Sequence, residues 1–135
     1  MNDPLNIVLV YQYTGPEKYC PKSRPMYLAQ EWVKLGHRVT IIVASYSHLF
    51  LITPSFAGDH AVEMEKGIQY YLLKTPRYTG NGIARIANMI VFALRLWKLG
   101  RLLSERLHPD IVIAGTTHGL DYLSARRIAR LSKGI

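Results

Sequence analysis

The 135-residue chain has enough apolar material for one packed domain, since 49% of its residues are hydrophobic and 19% are charged. This composition excludes an intrinsically disordered protein, and the length leaves no room for two independent cores. Seventeen Lys and Arg against nine Asp and Glu give a net charge of +8. The positive charge favours an anionic partner: a phosphate group, a nucleic acid or an acidic membrane surface.

The single cysteine, Cys20, excludes an intrachain disulfide and a cysteine-rich metal site, and a reducing cytosol fits it best. The N-terminus lacks the basic region and cleavage site of a signal peptide, so we expect a protein that is not exported by that route. The longest apolar run, residues 89–94, is far shorter than the roughly 18 residues that a membrane-spanning helix needs. We therefore expect a cytoplasmic protein.

Two short apolar runs predict the first two strands of a parallel sheet. Residues 7–11 and 39–44 are rich in β-branched residues, which is typical of strands buried on both faces. Between them, apolar residues recur at helical spacing over residues 25–35, and Gly36 supplies the stop. The separation of about thirty residues is that of a right-handed βαβ unit.

The middle of the chain predicts an irregular segment and then a hairpin. Residues 45–60 show no clean period, and we expect a loop there. Residues 62–65 and 68–73 flank Lys66-Gly67, a pair typical of a tight turn between two strands. Residues 75–82 are polar and contain glycine and proline, which predicts a second loop.

Residues 83–107 have the pattern of a long helix with one broad polar side and one almost wholly apolar side. The polar side is predicted to contain Arg85, Asn88, Arg95, Lys98, Arg101 and Glu105. This mixture of apolar residues and cations is typical of a helix on an anionic membrane interface. The alternative is a helix buried between the sheet and a partner domain. Nucleic-acid binding has less support, because the basic residues are dispersed and form no recognised motif.

The last part of the chain predicts a strand at residues 111–114, a loop at 115–119 and a helix that begins at Leu120 and ends at Lys133-Gly134. The whole order of elements predicts an α/β fold with a Rossmann-like, doubly wound and mainly parallel sheet. The alternation stops where a further strand would begin, so we expect an incomplete sheet.

Ligands of such a sheet bind outside the carboxyl ends of its strands, which directs attention to the loops after positions 11, 44, 73 and 114. The first loop has one glycine, Gly15, and lacks the dinucleotide-binding and P-loop patterns. Because glycine has no side chain, Gly15 would allow the backbone to approach a diphosphate closely; the alternative is an ordinary loop glycine. Arg24, at the start of the first helix, either binds a nearby anion or is exposed to solvent. Arg77, Tyr78 and Asn81 contact a sugar or a phosphate, or form a solvated turn.

Two histidines follow predicted strands. His118 lies in the loop after residues 111–114, next to Gly119, and imidazole can transfer a proton near neutral pH. Its functional and structural interpretations stay open. His48 follows the second strand and is a weaker candidate for the same cleft. The pair lacks the spacing of a metal site, and no carboxylate is placed as a third ligand, so no metal is expected.

Five segments of the chain occur in a recognisable order. They begin at Arg24, Ala44, Leu73, Asn88 and Pro109, and they read RPxYLAxEWVKLGHxVT, ASYSHL, LKTPxYxGNG, NM and PDIVIA. Together they resemble the N-terminal domain of GT-B glycosyltransferases of family 4, in the bacterial branch that builds O-antigen and capsule sugars. The resemblance covers nearly the whole chain.

The resemblance implies a glycosyltransferase of hexosyl or N-acetylhexosaminyl type. Such enzymes transfer a sugar from a nucleotide sugar to a polyprenyl-diphosphate-linked acceptor at the cytoplasmic face, usually with retention and without a metal. The N-terminal domain shapes the acceptor side, and an additional C-terminal domain holds most nucleotide-sugar contacts. Two departures from the family pattern stand out. The family's Pro-His-Pro is Thr117-His118-Gly119 here, and its Glu-x-Arg-Asp-x-Trp-Pro segment does not follow Gly134.

We therefore expect the N-terminal half of a GT-B enzyme, inactive alone and peripheral at the inner face of the plasma membrane. His118 is the predicted catalytic residue. The predicted substrate-binding residues are Gly15, Arg24, His48, Arg77 and Asn81. No cofactor, metal or nucleic acid is expected. The alternative is a non-enzymatic truncated or split module that binds anionic lipid or a partner subunit.

Overall fold

A computed structural model describes residues 3–115 and 119–135 of the chain. Within them the strands are β1 Asn6–Val10, β2 Arg38–Ala44, β3 His60–Glu65, β4 Ile68–Leu73 and β5 Ile111–Ala114. The helices are α1 Arg24–Lys34, α2 Ile83–Leu107 and α3 Leu120–Ser132. The predicted bounds of β4, α2 and β5 are confirmed.

The strands form one sheet in the order β3-β4-β2-β1-β5. All neighbours run parallel except β3, which pairs antiparallel with β4 at the edge. The chain moves from β1 to β2 in one direction and later returns to place β5 on the other side of β1. This reversal confirms the predicted α/β class with a mainly parallel sheet, and it is compatible with a Rossmann-like fold.

Two apolar cores cover the two faces of the sheet. Alternate residues of β1 divide between them: Val8 and Val10 face α2 and α3, whereas Leu9 faces α1. The core on the α2 and α3 side contains Phe92 and Ile128, both fully buried. This explains why β1, β2, β4 and β5 are apolar without alternation, because the side chains of each divide between the two cores.

The hairpin between β3 and β4 turns at Lys66 and Gly67, which both have positive φ angles, 52° and 78°. Two consecutive positive φ angles suit the right-handed twist of the strands in a tight hairpin. A Cβ at position 67 would also approach Cγ1 of Val33 to 2.9 Å, so glycine is favoured for space as well as conformation. β3 begins at His60, two residues before the predicted start.

The backbone after α3 returns to the edge of the sheet beside β5. The amide of Ile135 donates to the carbonyl of Asp110 at 2.9 Å, and the amide of Val112 donates to the carbonyl of Ile135 at 2.7 Å. These two bonds have the pattern of a parallel strand pair. On the side of β5 that faces β1, the carboxylate of Asp110 accepts from the amide of Asn6 at 2.8 Å, so Asp110 connects the starts of these two strands.

The buried side of α2 differs from the prediction at one position. The buried residues recur every three or four positions and are Asn88, Phe92, Leu96, Gly100, Leu103 and Ser104. The prediction placed Asn88 on the broad polar side of the helix, and this is wrong, because Asn88 is fully buried at the carboxyl end of the sheet. None of the described helices is long and apolar enough to cross a membrane.

We expect Leu96→Ala to lower the free energy of unfolding by about 3 kcal/mol, because it leaves a cavity between α2 and the sheet. Leu94→Ala is the matched control on the same helix, since Leu94 is 63% exposed and Leu96 fully buried. Its cost should stay below about 1 kcal/mol. Urea unfolding measures both, and equal losses would contradict this orientation of α2.

Candidate functional site

A cleft of about 340 Å³ opens at the carboxyl ends of β1 and β5, where the winding of the sheet reverses. This is the position at which open α/β sheets bind their ligands. The loop after β1 and the starts of all three helices contribute to its lining. Gly115 lines it just after β5, and a Cβ at this position would collide with the ring of Tyr11. We call this space the cleft.

Among the described residues, three basic side chains line the cleft: Arg24, His48 and Arg85. Arg24 is the first residue of α1, whose first turn contains no acidic residue. The guanidinium of Arg85 lies 5.4 Å from the centre of the Tyr13 ring. Because the positive end of the α1 dipole meets these cations, this side of the cleft favours an anionic ligand.

His48 is held in place by Tyr78, a buried residue from the loop after β4. Its Nδ1 lies 2.9 Å from the Tyr78 hydroxyl oxygen, and its backbone amide donates to the same oxygen at 3.1 Å. The ring of Tyr13 lies 5.7 Å away, measured between ring centres. The imidazole is thus positioned by two aromatic residues from different loops.

Asp121, in the first turn of α3, is an acidic residue that lines the cleft. It is fully buried, and within the described residues neither carboxylate oxygen has a hydrogen-bond partner. Burial raises the pKa of Asp121 to about 7. An unpaired buried carboxyl is costly, and such groups occur preferentially at functional sites.

A buried amide network joins the wall of the cleft to the neighbouring loops. Gln12 donates from Nε2 to Oδ1 of Asn88 at 2.7 Å. Nδ2 of Asn88 donates to the carbonyl of Pro76 at 2.8 Å and to that of Tyr46 at 3.3 Å. The loops after β1, β2 and β4 are therefore fastened to one side chain of α2.

The structure brings some of the predicted site residues together and separates others. Arg24 and His48 line the cleft. Asn81 lies at its margin, where its Oδ1 accepts a hydrogen bond from Nη1 of Arg85. Gly15 packs elsewhere, since a Cβ there would approach the ring of Phe50 to 2.9 Å.

Arg77 lines a different cavity, described below. His118, the predicted catalytic residue, lies outside the described residues, so its role stays a prediction. The described residues contain no group of three or more His, Cys, Asp or Glu side chains that would hold a metal ion.

Sequence reasoning missed Asp121, Asn88 and Gln12. Asp121 stands three positions after His118, at the start of a helix that follows a predicted ligand loop. This position in the sequence could have identified it as a candidate site residue. Nothing local distinguishes Asn88 or Gln12 from solvated amides. No family model matches the sequence, and no curated protein matches it significantly.

Asp121→Asn should remove a pH-dependent loss of stability. The unfolded carboxyl titrates near the ordinary Asp pKa of about 3.9, whereas the folded one titrates at about 7. The folded state binds more protons between these values, so stability falls as pH rises through this window and stays low above it.

The variant should therefore raise the midpoint of thermal unfolding at pH 8.5 by about 5 °C or more, with little change at pH 4. Thermal scans followed by circular dichroism measure this. Glu105→Gln, which replaces an exposed carboxylate, is the control. An equal shift at both pH values would mean that Asp121 is not buried as an ionisable group.

Proposed function

We propose that the chain is the acceptor-side, N-terminal domain of a GT-B glycosyltransferase of family 4. The complete enzyme would transfer a sugar from a nucleotide sugar to a polyprenyl-diphosphate-linked acceptor in surface polysaccharide biosynthesis. The proposal is supported by the five segments described above and by the position of the cleft in the sheet.

The observation that carries the proposal is the combination of opposite charges in one cleft. Arg24 and Arg85 suit the diphosphate of a lipid-linked acceptor, because guanidinium groups bind phosphate oxygens bidentately. The buried carboxyl of Asp121 suits a sugar, whose hydroxyl groups would supply the hydrogen bonds that this side chain does not receive from the described part of the chain. A sugar diphosphate carries both kinds of group.

In this proposal the catalytic site is completed by a C-terminal domain that holds the nucleotide sugar, and the chain is inactive alone. His118 would polarise the transferring sugar or the developing charge on the diphosphate, an interaction strongest in the transition state. The proposal assigns no catalytic step to a metal or cofactor.

A second surface supports a position at the membrane. Along α2, apolar residues recur at helical spacing on an exposed side, among them Ile83 at 85% exposure and Leu94 at 63%. Lys98 and Arg101 are exposed on the same helix. We call this side of α2, with the adjoining exposed part of α3, the apolar–basic surface.

The apolar–basic surface continues onto α3 through Trp97. A groove lies between Trp97 and Leu123, with Arg126 and Arg130 on its α3 side. Arg127 donates to the carbonyl of Trp97 at 2.7 Å, and its guanidinium lies 5.0 Å from the indole centre. Apolar side chains beside cations are the arrangement that binds an anionic bilayer interface.

The same surface supports the alternative function, a non-enzymatic module that binds anionic lipid or a partner subunit. That module would need the apolar–basic surface and no cleft. The two functions differ in what the cleft residues do, so variants of the cleft separate them.

The chain should bind anionic vesicles more strongly than neutral ones, and its affinity should fall as salt rises, because the cations contribute through screened electrostatics. Changing Lys98, Arg101 and Arg126 together to Gln should weaken binding by about tenfold or more, since each cation near the surface contributes about 1 kcal/mol. Vesicle co-sedimentation measures both effects.

The control replaces the same number of charges near α1, on the other face of the sheet, by changing Lys22, Lys34 and Lys66 to Gln. This variant should bind nearly as well as the parent. If binding does not depend on lipid charge or salt concentration, or if it falls equally in both variants, the apolar–basic surface is excluded as a membrane site.

His118→Ala should lower kcat by roughly ten- to a thousandfold in a complete enzyme rebuilt by joining this chain to a matching C-terminal domain. The physical reason is the loss of one polarising or proton-transferring group. His48→Ala is the comparison and should have a smaller effect. The rate of sugar transfer to a lipid-linked acceptor is the measurement, and thermal unfolding checks that each variant folds. Full activity of His118→Ala would refute the catalytic role.

A further inference from the structure

A second cavity, of about 190 Å³, lies at the carboxyl ends of β2 and β4. The segment just after β2 forms one wall, and residues 74–77, just after β4, form another. Thr53, Ser55 and Phe56 complete it from the loop that precedes β3. This position is also at the ligand-binding edge of the sheet, and we call it the second cavity.

The charge of the second cavity is entirely positive. Lys74 and Arg77 line it, both exposed, and none of the described lining residues is acidic. Neither cation takes part in an ion pair within the described part of the chain. Two unpaired cations three positions apart create a potential that attracts an anion.

Hydroxyl groups supply donors between the two cations. Thr75 is only 8% exposed, and its Oγ1 has no hydrogen-bond partner within the described residues. Oγ of Ser45 accepts from the backbone amide of Thr75 at 3.0 Å, which leaves the Ser45 hydroxyl proton free to donate. Buried hydroxyls with unused donors favour a ligand that is rich in acceptor oxygens.

The second cavity is separated from the cleft by a rigid wall. The rings of Tyr46 and Tyr78 meet edge to face, with centres 5.2 Å apart, and the Tyr46 hydroxyl donates to the carbonyl of Tyr78 at 2.9 Å. Asn88 holds the carbonyls of Tyr46 and Pro76, one from each side of the second cavity. The walls are fixed before any ligand arrives, which reduces the entropy cost of binding.

We propose that the second cavity binds a phosphate group, with Lys74 and Arg77 pairing its charge and Thr75 donating to one of its oxygens. A phosphate presents several acceptor oxygens and more than one negative charge, which matches two cations and adjacent hydroxyls. The inference stands apart from the proposed function, since it requires no sugar transfer. The phosphate group belongs to a small soluble molecule or to a lipid headgroup, and the experiment below separates these sources.

The test is titration calorimetry of the full chain with pyrophosphate at constant ionic strength. We expect saturable binding at the second cavity. The comparison is made both in the parent and in the variant with Arg24→Gln and Arg85→Gln, because the diphosphate site proposed in the cleft would bind pyrophosphate as well. Changing Lys74 and Arg77 together to Gln should weaken the affinity by at least about tenfold, since two charge-assisted contacts are lost. Changing Lys34 and Arg38 together to Gln removes the same charges from the other end of the sheet and should leave the affinity nearly unchanged.

Thr75→Val separates ligand binding from folding. Valine keeps the shape of the side chain but removes a buried hydroxyl that has no partner among the described residues, so stability should be unchanged or higher. The pyrophosphate affinity should nevertheless fall by about threefold or more. An unchanged affinity in Thr75→Val, or equal weakening in both double variants, would overturn the proposal.

Two further experiments identify where the phosphate group binds and which kind of molecule carries it. Arg24→Gln with Arg85→Gln changes the cleft, and if this variant alone lost pyrophosphate binding, the anion would bind in the cleft and the proposal would be wrong. The second experiment asks whether the phosphate group belongs to a lipid. It compares the parent with the Lys74, Arg77 double variant for binding to vesicles of phosphatidic acid in neutral lipid. Weaker vesicle binding by that variant supports a lipid headgroup, and retained vesicle binding with lost pyrophosphate binding supports a soluble phosphate.

Discussion

The carboxamide of Asn88 is the contact on which the ligand-binding edge of the sheet depends. It accepts from Gln12 after β1 and donates to the carbonyls of Tyr46 after β2 and Pro76 after β4. A buried donor or acceptor left without its partner costs about 1–3 kcal/mol. The three loops must therefore keep their relative positions for the amide to be satisfied. Both the cleft and the second cavity have walls in these loops, so one side chain of α2 determines the shape of both.

A second set of contacts fixes the loop after β1 from its other side. The carboxylate of Glu65, at the end of β3, accepts from the backbone amide of Glu17 at 2.7 Å, and Glu63 accepts from the Tyr19 hydroxyl at 2.7 Å. Lys66 in the hairpin turn contacts Glu17 at 2.7 Å, and this cation lowers the pKa of the Glu17 carboxyl. The loop is thus held between the hairpin and α2. Its own glycine is used for packing, because a tightly held loop leaves no space for a side chain beside Phe50.

Sequence periodicity predicted the parts of the fold whose burial is repeated along an element. Uninterrupted apolar strands and a long amphipathic helix are visible locally, and the bounds of β4, α2 and β5 agree with the structure. Features that depend on distant partners were not visible. Asn88 is polar at a buried helix position, and its hydrogen-bond acceptors and donor come from three separate loops, the most distant of them 76 residues away. The start of β3 was missed for a similar reason, since His60 and Ala61 are half-buried strand residues that show no alternation. Arg24 and His48 were predicted from their positions after strands, and that rule placed them in the cleft.

Two opposing effects act on the charge of Asp121 in the cleft. Its place in the first turn of α3 favours the carboxylate, because the helix dipole stabilises a negative charge there, typically by 0.3–1 kcal/mol. Burial favours the neutral acid and raises the pKa of Asp121 to about 7, and no described residue gives its oxygens a hydrogen bond. Near neutral pH the two forms are then almost equal in free energy. A ligand that donates a hydrogen bond to the carboxylate would remove part of the desolvation cost and favour the charged form. Burial of Asp121 lowers the stability of the ligand-free protein. The same burial therefore makes the protonation state of Asp121 sensitive to a ligand in the cleft.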